Sequence, residues 1–387
     1  MKEGLFLAGA VRTPIGRYGG ALTPVPAVEL GIAAAAAALS RAGIAPDAVD
    51  EVVFGHARQA GCGPNPGRQV AVRAGIPVER PAKTINQACL SGLQAILDGA
   101  RAIRCGEAEV VLAGGMESMS RVPYLLPVPD ARWGMRMGHR EVADGMYRDG
   151  FLDPICGKVM GETAETLATN YGISREEQDD YAAQTQQRCE IARREGRFAD
   201  EVAPLDRLDH DEHPRDGVTA AALAKLPPVF SREGTVTAGN SSGITDGAAA
   251  AVVLSEAAVA RLGVKPLARI VDWTVVGVEP AIMGIGPVPA VRRLTERTGV
   301  ALDAIDLVEL NEAFAAQVLA VDRELRFDRA KLNVNGGSIA LGHPIGCSGM
   351  RIVVTLLHEM RRRGARRGLA TLCVSGGLGG ALLLEAA

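Results

Sequence analysis

The feature that most limits what this chain can fold into is an internal repeat. One stretch reads TINQACLSGLQAILDGARAIRCGEAEVVLAGG, and a second, near the C-terminus, reads HPIGCSGMRIVVTLLHEMRRRGARRGLATLCVSGG. Each carries a Ser-Gly pair at a helix start, a glycine where that helix ends, and an aliphatic strand running into Gly-Gly. Ser91-Gly92 corresponds to Ser348-Gly349, and Gly114-Gly115 to Gly376-Gly377. Such a repeat calls for two similar units packed around a shared core. Elsewhere short aliphatic runs alternate with longer helix-period runs, the pattern of an α/β protein with a mostly parallel sheet covered by helices.

The strands expected in the first half are 5–11, 51–55, 82–86 and 109–113, and the run DGAAAAVVLS over 246–255, after the intervening segment, also reads as a strand. Helices are expected over 28–42 and through Leu93, Ile96, Leu97, Ala100 and Ile103, whose spacing marks one helical face. The second half predicts strands at 268–276, 305–310, 331–334 and 369–374, with helices at 290–298, 313–325 and 348–363. Residues 118–245 differ in character, with proline-rich turns (VPYLLPVPD, KLPPVF) and one clear helix over 175–194, opened by Ser174 with Glu177 three residues on, a capping box. We read them as an inserted lid. The expected division is 1–117 with 246–264 as the N-terminal half, 118–245 as the lid, and 265–387 as the C-terminal half.

Charge and cysteine content exclude whole classes of function. Lys and Arg total 42 against 45 Asp and Glu, a net charge of −3, which offers no global field for nucleic acid or an anionic membrane. The apolar run LFLAGAV stops at Arg12, too short to span a bilayer. Seven cysteines, without CxxC or Cys/His metal spacing, point to a reduced, cytoplasmic protein without a leader segment and without a bound metal.

The chemistry-bearing residues converge on the carboxyl ends of strands, where open α/β sheets place ligands. Cys89 lies between a strand and a helix, where the helix dipole favours the thiolate. Most cysteines are inert packing residues, so position alone does not single it out. His343 sits in GGSIALGHPIGCSG, a glycine density that packing does not explain, whereas His56, His139, His210, His213 and His358 read as packing or surface residues. Cys373 ends a strand and runs into SGGLGG. Asn311 ends another in NEAF, where it would serve equally as a helix cap.

Four segments carry a specific resemblance: CLSG with Cys89, NEAF with Asn311, the GG-GHP-G-SG pattern with His343, and CVSGGLGG with Cys373. In their order and spacing, and in MGETAE and GTVTAGNSSGITDGAAA, the chain resembles the thiolase family along its whole length. The resemblance implies the thiolase fold, two βαβαβαββ halves in a five-layer α-β-α-β-α sandwich with an inserted lid domain. It also implies a homodimer or dimer of dimers, and reversible Claisen chemistry on coenzyme A thioesters without a tightly bound cofactor or metal. In that family's terms Cys89 carries the acyl group, His343 moves the thiol proton with a pKa near working pH, and Cys373 exchanges the α-proton. Asn311 holds a water at the enolate oxygen, and the backbone N–H groups of Cys89 and Ser375 face the tetrahedral oxyanion. Met160 and Ser242 would follow the pantetheine arm, with Arg215 and Phe230 nearer the nucleotide. Three positions depart from the common pattern: Leu90 after the nucleophile, Ser375 beside Cys373, and Val159 before Met160. Leu90 and Val159 would reshape the acyl pocket. The stretch DGFLDPICGKVMGETAE favours acetoacetyl-CoA; the alternatives are a degradative 3-ketoacyl-CoA thiolase for longer chains, a decarboxylating ketoacyl synthase and an inactive coenzyme A binding homologue.

Overall fold

A computed structural model describes residues 4–126 and 130–387; residues 127–129 of the proline-rich stretch lie outside the described residues. Among the described residues ten strands form one continuous sheet, nine of them along a single path. In chain order these nine are β1 (Leu5–Arg12), β2 (Glu51–Gly55), β3 (Ala82–Ile85), β4 (Val110–Ser118), β5 (Thr245–Ser255), β6 (Ala268–Gly277), β7 (Leu307–Leu310), β8 (Arg367–Val374) and β9 (Leu378–Ala386). The spatial order is β7-β8-β9-β6-β1-β5-β4-β2-β3, with a two-residue strand, Gly16–Arg17, beside β5.

The repeat is visible in that order. On one side, parallel β3, β2 and β4 are followed by antiparallel β5 and β1; on the other, parallel β7 and β8 are followed by antiparallel β9 and β6. The halves join where Phe6 and Leu7 of β1 pair with Arg269 and Ala268 of β6. The expected strand at 331–334 is reduced to one parallel bridge between Val308 and Leu332. Asn333 explains this: it takes a positive φ of 45° and turns its side chain to the β7 backbone, with Oδ1 accepting from Leu310 N at 2.9 Å.

Five layers follow from side-chain alternation along the strands. On β5, Ala248, Ala250, Val252 and Leu254 face α1 (Ala27–Ala42) and α2 (Pro66–Arg73), whereas Ala249, Ala251 and Val253 face α3 (Ser91–Arg104). The same inner core takes in α9 (Ile345–Arg363) and the inner faces of β6, β8 and β9. On the far side, Leu369 and Cys373 of β8 and Ala381 and Leu383 of β9 meet α7 (Pro287–Thr298) and α8 (Ala315–Leu325). Helices α3 and α9 are therefore the middle layer, and they meet at glycines. A Cβ on Gly92 would stand 2.7 Å from Met350 N, and one on Gly115 would strike the Gly346 carbonyl. Close approach, not chain termination, is what Gly114-Gly115 provides: β4 continues through them to Ser118, five residues past its expected end.

Between β4 and β5 lie α4 (Met160–Tyr171) and α5 (Arg175–Arg194), the latter with the predicted Ser174/Glu177 capping box. A further short helix, α6 (Glu256–Leu262), follows β5. Two buried ionic contacts fasten the inserted segment to β1: Arg12 Nε donates to Glu201 at 2.6 Å, and its Nη1 and Nη2 grip Asp211 at 2.6 and 2.9 Å. The one long strand that sequence reasoning omitted is β9, because LGGALLLEA has no alternation when both its faces are covered. Among the described residues no helix is long and apolar enough to cross a membrane.

Candidate active site

Cys89 sits on a single tight helical turn, Ala88–Leu90, that leads directly into α3. Ala88 holds a left-handed φ of 45°, unfavourable for a residue with a Cβ. Ser91 braces it: Ser91 Oγ donates to Ala88 O at 2.7 Å and accepts from Gln87 N at 2.9 Å. The turn presents Cys89 Sγ to His343 Nε2 at 3.3 Å. His343 arrives from the loop before α9, and its backbone N–H donates to Gly243 O.

The tautomer of His343 follows from its other side. Nδ1 lies 2.6 Å from Ser348 Oγ, and Ser348 Oγ spends its one proton on Pro344 O at 3.0 Å. Ser348 therefore accepts from Nδ1–H, which leaves the Nε2 lone pair facing the thiol. Ser348 is a positioning residue that sequence reasoning passed over, although it lies inside the quoted motif. Removing one neutral hydrogen bond of about 1 kcal/mol corresponds to roughly a fivefold to tenfold rate loss. Ser348→Ala is accordingly expected to lose turnover by that factor, and Ser348→Thr, which keeps the hydroxyl, to recover it.

Burial governs both protonation states. It pushes the Cys89 thiol up despite Arg58 and the N–H groups of Ser375 and Cys89, which act to lower it. Burial, then Arg351 and Arg58, push His343 down to about 3. Two expectations are corrected here. The helix start does not make Cys89 a resting thiolate, and His343 does not titrate near working pH, because desolvation outweighs the dipole. The resting pair is neutral thiol and neutral imidazole, so the proton moves only as a substrate develops charge. Alkylation of Cys89 by iodoacetamide should accelerate with pH through and beyond the ordinary thiol value of 9.0. It should show no step near 6.5; a step there would mean that His343 titrates as an ordinary histidine.

Both groups open on a cavity of about 500 Å³. Cys373, at the end of β8, and Ser375, on the turn after it, line the same cavity. Burial and then Cys89 push the Cys373 thiol up. Ser375 is not among the residues with positive φ; Gly376 and Gly377, at 83° and 80°, make the turn instead, so a serine fits without strain. Met160, Arg215, Phe230 and Ser242 also line this cavity, as does Val159. Phe230 packs over Gly161 and stands edge-on to Phe314 at 6.3 Å.

Asn311 is placed differently. It follows β7 fully buried and outside the cavity lining, and it is not a helix cap. Arg351 Nη2 donates to Ser338 Oγ at 2.9 Å, and Ser338 Oγ donates to Asn311 Oδ1 at 2.7 Å. That chain orients the amide and leaves Asn311 Nδ2 buried without a protein partner. Leu90 is also elsewhere: it is fully buried against Gly380 and does not reach the acyl pocket.

Two further residues escaped sequence reasoning. Glu117, the lone carboxylate at a core position of β4, sits beneath the site 3.1 Å from His56 Nε2, and accepts from the N–H groups of Ala57, Arg58 and Gly346. Burial pushes its carboxyl up, but His56, Arg58 and Gly346 N–H hold it below its ordinary value. A charged residue in an otherwise apolar strand was the available signal. His213 lines the cavity, with Nδ1 2.8 Å from Ala340 O, where the sequence suggested only packing or surface.

The comparisons agree with this architecture. Residues 5–257 match the Thiolase, N-terminal domain, and residues 264–386 the Thiolase, C-terminal domain. The chain is 52% identical to an acetyl-CoA acetyltransferase of Pseudomonas aeruginosa over 99% of both chains. It is 49% identical to one of Shinella zoogloeoides over 98% of both. Its fold superposes on a Bacillus anthracis acetyl-CoA acetyltransferase with a TM-score of 0.96 at 47% identity, covering 100% of this chain and 99% of that one. Human mitochondrial 3-ketoacyl-CoA thiolase, solved in complex with CoA, gives 0.96 at 46% identity, covering 100% and 98%. With both domains matched across nearly its whole length, the chain belongs to the thiolase family.

Proposed function

We propose that this protein is an acetyl-CoA acetyltransferase, interconverting acetoacetyl-CoA plus coenzyme A with two molecules of acetyl-CoA. The observation that carries the reading is the Cys89–His343 contact at 3.3 Å opening on the cavity that Cys373 also lines. In cleavage, Cys89 Sγ attacks the ketone carbon while His343 Nε2 takes its proton. The N–H groups of Cys89 and Ser375 hold the resulting oxyanion, a preorganised arrangement of the kind that dominates such reactions. The C2–C3 bond then breaks, and Cys373 gives its proton to C2 of the departing acetyl-CoA enolate. His343 and a water on Asn311 Nδ2 stabilise the enolate oxygen. Coenzyme A next attacks the acetyl-Cys89 thioester, its thiol proton goes to the Cys373 thiolate, and His343 returns its proton to Cys89. Splitting the transfer through a thioester replaces one difficult step by two easier ones.

Met160 and Ser242 would flank the pantetheine arm, with Phe230 and the exposed Arg215 towards the nucleotide; the support is their shared cavity. No metal or redox chemistry is required by these steps. We assign 1–117 with 246–264 and 265–387 to the two halves and 118–245 to a lid, and place the protein in the cytoplasm, where its free cysteines stay reduced. We also propose a homodimer or dimer of dimers. Support comes from exposed apolar side chains gathered in the inserted segment, among them Tyr124, Trp133, Met137 and Ile155. The deciding experiment is thiolysis across 3-oxoacyl-CoA chain lengths. Cleavage of acetoacetyl-CoA with loss of rate on longer methyl-terminated chains is expected, and absence of acetoacetyl-CoA cleavage would overturn the reading.

A further inference from the structure

Arg58, just past β2, is 7% exposed and lines the cavity together with Cys89 and His343. Its Nε is buried without a hydrogen-bond partner, and no carboxylate among the described residues forms an ion pair with it. The nearby acid, Glu117, is already occupied by His56 and by three backbone N–H groups, including that of Arg58 itself. The guanidinium lies flat against Gly150, where a Cβ would collide with it. Among the described residues no Asp or Glu lines the cavity. Arginine cannot shed its charge when buried, so a desolvated guanidinium with Glu117 near but no carboxylate in direct contact is costly.

The other arginines of the cavity wall are different. Arg17 faces Glu212 at 3.5 Å with its side chain 65% exposed, and Arg215 is exposed at the mouth. Arg58 is instead at the reacting end, near enough to act electrostatically on both Cys89 and His343. The anion it would meet there belongs to the acyl chain, since the phosphates of coenzyme A lie at the far end of the arm. Acetoacetyl-CoA has no such charge.

We propose that Arg58 is a receptor for a carboxylate at the end of the acyl chain, and that the enzyme cleaves carboxylate-terminated 3-oxoacyl-CoA thioesters, an inference that rests on the thiolase reading. The planar fork suits a carboxylate gripped by two parallel hydrogen bonds. In that reaction the C2–C3 bond breaks, C2 gains a proton and leaves as acetyl-CoA, and the carboxyacyl group passes from Cys89 to the coenzyme A thiol.

The test compares kcat/KM for 3-oxohexanedioyl-CoA, 3-oxoheptanedioyl-CoA and 3-oxooctanedioyl-CoA with that for the methyl-terminated thioester of equal carbon number, with acetoacetyl-CoA alongside. At one or more lengths the carboxylated substrate should be favoured, and Arg58→Leu should lower that preference at least about 30-fold. Arg58→Lys should keep part of it, and Gly150→Ala, which displaces the guanidinium, should lower it without removing the charge. Acetoacetyl-CoA cleavage with no carboxylate preference at any length would overturn the proposal and leave the thiolase reading standing. A preference unchanged in Arg58→Leu would overturn it too, and failure to cleave any of these thioesters would overturn both.

Discussion

Cys89→Ser is expected to abolish cleavage of acetoacetyl-CoA by coenzyme A while leaving the protein folded. Loss of a nucleophile from a covalent route costs on the order of 10⁶ in kcat where it has been measured in a hydrolase, and two features of this site push towards that limit. The imidazole facing Sγ at 3.3 Å is held at about 3 by burial, Arg351 and Arg58. It is a weak base, adequate for a thiol whose charge develops together with bond formation but not for the far less acidic hydroxyl. The intermediate would also change from a thioester to an ester, from which a coenzyme A thiolate leaves no downhill path. Folding should be indifferent, because Sγ makes its contact with His343 and the turn is braced by Ser91. Circular dichroism and melting temperature should match the parent, and mass spectrometry after incubation with acetoacetyl-CoA should show no acetylated protein. Full activity in the variant would remove Cys89 from the mechanism.

The residues whose roles rest on chemistry at a strand end were legible in the sequence, and those whose roles rest on contact between distant segments were not. Cys89, His343 and Cys373 could be found because each stands near glycines where the sequence reads as a strand end, although in the structure His343 follows the short helix Ser338–Leu341 and not a strand. Their meeting at one cavity follows from the repeat, which brings α3 and α9 together in the middle layer. Ser348 was visible only as a motif letter, since its function depends on where its single proton goes. Glu312 illustrates the same limit. In the NEAF segment it is only a motif letter, yet its carboxylate accepts from Tyr181, Thr185, Asn333 and Ile339 N, joining β7, α5 and the segment before His343. Protonation states were the least legible part. Position suggested an activated thiolate and the family resemblance a histidine near neutrality, but burial is a property of the assembled layers and it reversed both.

That reversal makes Cys373→Ala the most informative single change after the nucleophile. The variant should still be acylated at Cys89 by acetyl-CoA, because neither the 3.3 Å Cys89–His343 contact nor the Ser375 N–H depends on the second thiol. It should lose exchange of the acetyl-CoA α-protons with solvent deuterium, and with it condensation, by about 10²–10⁴-fold, the usual contribution of a positioned proton donor or acceptor. Burial and the neighbouring Cys89 both push the Cys373 thiol up, so its thiolate is a strong base held next to carbon and shielded from water. An acyl group on Cys89 leaves that sulfur unable to ionise, so the Cys373 thiolate no longer forms beside a second ionisable thiol and should form most readily on the acyl-enzyme, where condensation needs it. Proton exchange in the parent should accordingly rise when Cys89 is already acetylated. Mass spectrometry of the acyl-enzyme and proton NMR of acetyl-CoA in deuterium oxide separate the two steps. Loss of acylation together with exchange in Cys373→Ala would show that the two thiols do not divide the work.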